Sequence, residues 1–218
     1  MGIRPGDAWG EPIGEPAGVP TVTGDDRDLA RVVAQLSAAA PVRFVPAPSS
    51  DLARAVGLGE SPVRGVALPM DVLVLDDREL ACNAVVYGIP PDRLQPWTRL
   101  RPVTVTIDGR VVFEGRATGV VVATGEFLRG RDLSPRGHPG DGRAEVQIYA
   151  VTAGERRAVR SRLRTGSHLP HARIVQRTGR SVTVAGRHPA RLEADGHRLP
   201  ARSAITVEVR PNAYRLVV

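Results

Sequence analysis

Asp141 stands on an Asp-Gly step between two strand-like runs, Gly119–Ala123 and Ala144–Tyr149. An acid on such a turn lies where a substrate can reach it. A loop rich in Gly, Arg and Pro precedes it, within the stretch GEFLRGRDLSPRGHPGDGRAEV from Gly125 to Val146. An unperturbed Asp is a weak base near neutrality, so a site there must orient the carboxylate or raise its pKa. The competing reading is structural, because Asp-Gly is also the commonest hairpin turn pair. Glu145 follows on the next strand, either beside that acid or as an exposed strand residue. Asp25, in Thr23-Gly24-Asp25-Asp26, and Asp51, in Pro48-Ser49-Ser50-Asp51, each head a helical pattern. Acids there cap helix N-termini, a role compatible with a second one at a site. His168 and His171 have the spacing of metal ligands on a helix, but Pro170 lies between them and no acidic partner is near.

The elements that must hold these residues follow from periodicity and breakers. Residues from Met1 to about Pro20 contain four Pro and five Gly, which predicts an extended or flexible arm. Leu29, Val32, Val33 and Leu36 share one helical face. A short strand, Val42 to Val45, stops at Pro46, and a short helix over Leu52–Val56 ends at Gly57. From about Val66 the pattern turns to β, with many short strands and Gly/Pro turns. Asp108-Gly109 is a strong hairpin signal within it. One helix interrupts, about Ala153–Arg164, carrying Arg156, Arg157, Arg160, Arg162 and Arg164. The order predicts an α+β chain: a partial α/β layer followed by a mainly antiparallel β-sandwich.

Composition narrows the function classes. The chain has 218 residues, 42% of them hydrophobic, with mean hydropathy −0.14, which excludes a disordered chain. No run is long enough to form a membrane-spanning helix, and the N-terminus lacks the basic-then-apolar signal pattern. Cys82 is the single cysteine, so there is no internal disulfide, and a cytoplasmic location is expected. Net charge is +7 and every basic residue is Arg, which rules out a lysine phosphate clamp. From Arg129 onward there are 18 Arg against 7 acids. That half either favours an anionic partner or is a solvated Arg-rich surface. With aromatics at 4%, a stacking platform for nucleic acid is disfavoured.

Read in order, these pieces resemble the diacylglycerol kinase and sphingosine kinase type lipid kinases, over about residues 20 to 218. Val22-Thr23-Gly24-Asp25-Asp26 lies where that family has its GGDGT loop. The run Phe44 to Leu58 is similar to PLGTGNDFARxLGI. Met70-Asp71-Val72 and Cys82-Asn83-Ala84 resemble the next step, and Gly125 to Val146 the glycine-rich substrate block with its D-G turn. Glu193-Ala194-Asp195-Gly196-His197 resembles the terminal DGE element.

The resemblance implies an NAD kinase/diacylglycerol kinase-like fold. Residues 1–20 would be a flexible arm, 21–66 a partial nucleotide-binding domain and 67–218 a β-sandwich that receives the lipid. It implies phosphoryl transfer from ATP, with Mg²⁺, to the hydroxyl of a diacylglycerol or sphingoid-like lipid. Asp141 and Asp25 become candidate bases. Gly24, Asp25, Ser49, Ser50 and Asp51 become nucleotide contacts, and Asp51 and Glu145 become metal ligands. Thr23, Asp26, Arg27, Ala47 and Pro48 depart from the loop glycines that let backbone N–H groups approach phosphate. A non-catalytic pseudokinase that binds lipid or nucleotide, or serves as a partner subunit, is therefore the alternative. A homodimer could complete the nucleotide domain, and the Arg-rich helix 153–164 would face an anionic membrane surface at the inner face.

Overall fold

The computed structural model describes residues 9–13, 18–58, 65–135 and 137–218. The rest of the 1–20 arm, residues 59–64 and Arg136 of the Gly125–Val146 block lie outside the described residues. Strand takes 51% of the described residues and helix 12%, so the β-dominated reading holds.

The chain opens with β1 (Glu11–Pro12), β2 (Thr21–Gly24), α1 (Asp26–Val33), β3 (Ala40–Pro46) and α2 (Asp51–Ala55). The β body begins with β4 (Val66–Leu75), β5 (Glu79–Ala81) and β6 (Ala84–Gly88). After a 3₁₀ turn at Pro91–Arg93 come β7 (Arg101–Ile107), β8 (Arg110–Ala117) and β9 (Gly119–Ala123). A small pair, β10 (Phe127–Leu128) and β11 (Arg131–Asp132), precedes β12 (Ala144–Tyr149) and α3 (Arg156–Arg162). The chain closes with β13 (Ile174–Gly179), β14 (Ser181–Ala194) and β15 (His197–Val217).

One sheet joins nearly all of them. Its main path runs β1-β4-β15-β14-β6-β9-β12-β13, antiparallel at every step. The α/β layer is attached through parallel pairs, β2 on β3 and β3 on the end of β15. Of the N-terminal arm, Glu11 and Pro12 pair with Ala67 and Val66, and Trp9 packs edge-on to His138. These described arm residues are therefore docked on the β body.

Strands β6 and β9 are buried on both faces, which explains why their sequences are continuous apolar runs. Val85, Tyr87, Val120 and Val122 point into the sandwich core. Ala84, Val86, Val121 and Ala123 point the other way, under α3 with Val159 and Leu163. A third core joins Leu29, Leu52, Phe44, Met70, Val72 and Tyr214, packing α1 and α2 on β3, β4 and β15.

Two strands are much longer than the short strands the pattern predicts. Ser181–Ala194 and His197–Val217 each run through a bulge where the pairing slips. In β15 the slip lies between Arg210 and Tyr214, and buried Asp71 accepts from Asn212 N at 3.0 Å there. Hairpin chemistry is as expected at Asp108-Gly109, where both residues have positive φ (47° and 78°) and link Ile107 to Arg110. Asp195-Gly196 (φ 46° and 76°) makes the same two-residue turn between Ala194 and His197.

Candidate functional site

A cleft of about 400 Å³ lies where the α/β layer meets the sandwich. One wall carries Asp25, Asp26, Ser49 and Asp51 from the starts of α1 and α2; the other carries the β14–β15 turn, Asp195 to His197. Asn83, Arg54 and the loop at Arg129-Gly130 close it.

Asp195 is held there by its own hairpin turn. Its carboxylate accepts three backbone N–H bonds, from Cys82 at 2.7 Å on Oδ2 and from Asn83 and Ala84 at 2.9 Å on Oδ1. Those bonds favour the charged form. Burial and the nearby Asp26 carboxylate outweigh them and push the pKa up from 3.8 to about 7. An Asp near 7 can take a proton at neutral pH, which an ordinary Asp does poorly.

The acids at the helix starts are engaged in capping. Asp25 closes a capping box on α1, accepting from Arg27 N and Asp28 N, while Asp28 reaches back to Asp25 N. Gly24 permits this: its φ is +144°, and a Cβ there would sit 2.1 Å from Asp28 Oδ2. The other oxygen of Asp25 lies 3.0 Å from His197 Nε2. Burial works to raise the Asp25 pKa, but the His197 bond and the backbone donors bring it below the ordinary value.

Asp26 does the equivalent at α2. It accepts from Asp51 N at 3.0 Å and Leu52 N at 3.2 Å, and Ser50 Oγ donates to it while capping Ala53 N. Burial lifts Asp26 to about 6, with the Ser50 and backbone bonds opposing and Asp51 adding to the rise. Asp51 holds the facing loop, accepting from Gly130 N at 2.6 Å and from Arg129 N. Burial raises its pKa against those two donors.

Asp25, Ser49 and Asp51 are thus brought together in one cleft, with Gly24 and Ser50 immediately behind them. Asp141 and Glu145 are not among its lining residues. Asp141 closes a local turn onto Arg143 N at 2.9 Å, and Gly142 N is anchored on buried Asp71. Glu145 lies on β12 at a different cavity, with Ser134, Leu169 and Arg177. The proposed Mg²⁺ pair does not converge: Asp51 lines the cleft and Glu145 a different cavity. Among the described residues, no group of three or more His, Cys, Asp or Glu could hold a metal ion. His168 is buried beside Tyr149, and His171 Nδ1 accepts from Arg173 N.

The residues that sequence reasoning left without a role are Asp195, His197, Asn83, Arg54 and Arg129. The signal at Asp195 was the Asp-Gly step between alternating strands, the same signal read at Asp141. Arg129 spans the back of the cleft, bonding Asp92 at 3.0 Å and buried Glu193, which Arg191 also meets. Arg54 lies over the Phe127 ring at 5.7 Å and has no ion pair among the described residues.

Residues 78–218 match the family described as the YegS C-terminal NAD kinase beta sandwich-like domain. The chain belongs to this family. No curated protein matches it. Among solved structures it resembles a protein from Bacillus anthracis str. Sterne assigned as a diacylglycerol kinase. That match has a TM-score of 0.73 at 16% identity and covers 90% of this chain and 76% of that one. A diacylglycerol kinase structure from the same organism gives 0.70 at 19% identity, covering 90% and 75%. Yeast NADH kinase complexed with NADH gives 0.52 at 14%, covering 91% and 60%. At these identities the likeness is one of fold. The YegS-type sandwich and its NAD kinase/diacylglycerol kinase-like architecture are those expected from the sequence. No described helix is long and apolar enough to cross a membrane.

Proposed function

We propose that this YegS-family chain is a lipid kinase that transfers the γ-phosphoryl group of ATP to a lipid hydroxyl, with Asp195 as the proton acceptor. The carrying observation is the Asp195 carboxylate, raised to about 7 at the wall of the interdomain-type cleft. Oδ1 holds two N–H bonds and Oδ2 only one, so Oδ2 keeps lone-pair capacity for the incoming proton. The lipid oxygen forms its bond to the γ-phosphorus, the bond to the bridging oxygen breaks, and ADP leaves with that electron pair. Positioning and charge stabilisation carry such a transfer. Arg54, which lines the cleft and makes no ion pair among the described residues, is the guanidinium suited to the phosphoryl oxygens. The carboxylates present do not fit the predicted Mg²⁺ pair, and no step is assigned to it.

Peripheral contact with an anionic membrane belongs to the same reading. Arg157 and Arg160 of α3, with Arg164 just beyond it, line a cavity of about 370 Å³ with Arg131 and a single acid, Asp92. Arg156 of that helix is buried and turned onto the carbonyls of Val151, Gln95 and Pro96.

One observation favours the second reading, a non-catalytic relative that binds lipid or nucleotide or serves as a partner subunit. The helix starts that would meet phosphate are filled by the chain's own carboxylates, Asp25 at α1 and Asp26 at α2. Incubation with γ-labelled ATP, Mg²⁺ and a panel of diacylglycerol and sphingoid lipids separates the two. Label in the lipid fraction supports the kinase; heat of ATP binding without transfer supports the non-catalytic relative.

A further inference from the structure

A second concave site lies at the opposite end of the strands that form the cleft. Strand β6 runs from Ala84, bonded to Asp195, to Gly88, roughly 13 Å further along. There the sheet opens. Strand β14 pairs with β7 up to Gly186 and with β6 from Leu192, and between them it bulges. The gap is a cavity of about 580 Å³.

Its polar lining is of one sign. Arg99, Arg101, Arg116, Arg156, Arg187 and His188 line it, and no carboxylate does. None of these five arginines makes an ion pair among the described residues. Three are aimed by neutral backbone carbonyls instead. Arg101 donates to Pro189 O at 3.3 Å, Arg116 to Leu100 O at 2.8 Å, and Arg156 to Pro96 O at 2.6 Å. Carbonyl bonds fix the planes of the guanidinium groups without cancelling their charge. A concave surface with uncompensated charge and apolar walls concentrates its field on an anion.

Apart from Thr118, the remaining lining is mainly apolar, including Tyr87, Leu100, Val103 and Val120. An adjoining cavity shares Gly88, Arg99, Arg101, Thr118 and Ala190 with it and adds Trp97. Trp97 is 78% exposed. An exposed Trp beside arginines is the pattern of a membrane–water interface, where the ring sits at head-group level.

We propose that this cavity binds the phosphate-bearing head group of an anionic lipid, with the adjoining apolar chain against Tyr87, Leu100, Val103 and Val120 and Trp97 seated in the interface. The site is separate from the Asp195 cleft and holds whether or not that cleft transfers phosphate. A free phosphate would leave the apolar wall unused. A nucleic-acid duplex needs a run of phosphate contacts along a groove, and one pocket does not supply it.

Sedimentation of the full chain with phosphatidylcholine vesicles, with and without phosphatidic acid, tests the site. Binding is expected only with the acidic lipid, with a blue shift of emission that disappears in Trp97→Phe. Arg99→Ser combined with Arg187→Ser removes two exposed, unpaired arginines and leaves the fold's hydrogen bonds in place. This variant is expected to bind roughly tenfold or more weakly, a larger loss than Arg157→Ser with Arg164→Ser, on and just beyond α3, causes. Equal binding to both vesicles, or none, overturns the proposal, as does loss in the α3 variant but not the cavity variant. Competition by inorganic phosphate or an oligonucleotide as strong as that by a short-chain phosphatidic acid also overturns it.

Discussion

Asp25 Oδ2 and His197 Nε2 meet at 3.0 Å across the cleft, linking the N-cap of α1 to the turn that carries Asp195. Both side chains keep about a third of their exposure (34% and 38%), so solvent screens the pair. His197→Ala is expected to cost on the order of 0.5 kcal/mol. Because the folded Asp25 pKa is depressed below 3.8, its contribution is present above that value and is lost as pH falls through the folded pKa. Thermal melts of wild type and His197→Ala should differ at pH 6 and converge in strong acid; a constant difference would contradict the pairing.

Asp26 acts on the cleft without lining up as a base. Its charge is one cause of the high Asp195 pKa, and its oxygens cap α2. Asp26→Asn should lower the Asp195 midpoint, read from its carboxyl carbon by NMR titration. It should also destabilise the fold by about 1–2 kcal/mol through the weakened cap. An unchanged midpoint would remove Asp26 from the electrostatics of the site.

The acids that burial raises furthest dominate the pH dependence of stability. Burial raises Asp26 and Asp71 to about 6 and Asp195 to about 7, all from 3.8. Between 3.8 and those values the folded chain holds protons that the unfolded chain has released, so stability falls as pH rises and then levels off. His168, lowered by burial from 6.5 to about 4, acts in the opposite direction over part of that window. With three acids against one histidine, calorimetric Tm should be higher at pH 5 than at pH 8. A higher Tm at pH 8 would show that these carboxylates stay ionised in the fold.

Much of the fold was legible because local signals agreed with it. The Asp108-Gly109 hairpin, the capping Asp25 of α1, and the apolar runs of β6 and β9 each carried their own physical reason. At α2 the expected cap Asp51 instead holds the Arg129-Gly130 loop, and Ser50 and the distant Asp26 do the capping. The length of β14 and β15 was hidden, because Pro189 and Pro211 interrupt their patterns and the structure absorbs both in bulges. The site was half legible. Asp25 and Asp51 sit at helix starts that sequence can identify. Choosing between Asp141 and Asp195 needed tertiary contact, since both stand on Asp-Gly steps. The three N–H groups of Cys82 to Ala84 that hold Asp195 come from residues more than a hundred positions away.

The pH dependence of phosphoryl transfer with and without the Asp195 carboxylate tests the central claim most directly. With γ-labelled ATP and a diacylglycerol, wild-type transfer should rise with pH through a midpoint near 7, as Asp195 ionises. Asp195→Asn should lose a factor of about 10²–10⁴ while keeping its circular dichroism and thermal transition. Asp141→Asn should transfer at the wild-type rate. Undiminished transfer by Asp195→Asn, or an acid limb unchanged by that substitution, would contradict the account.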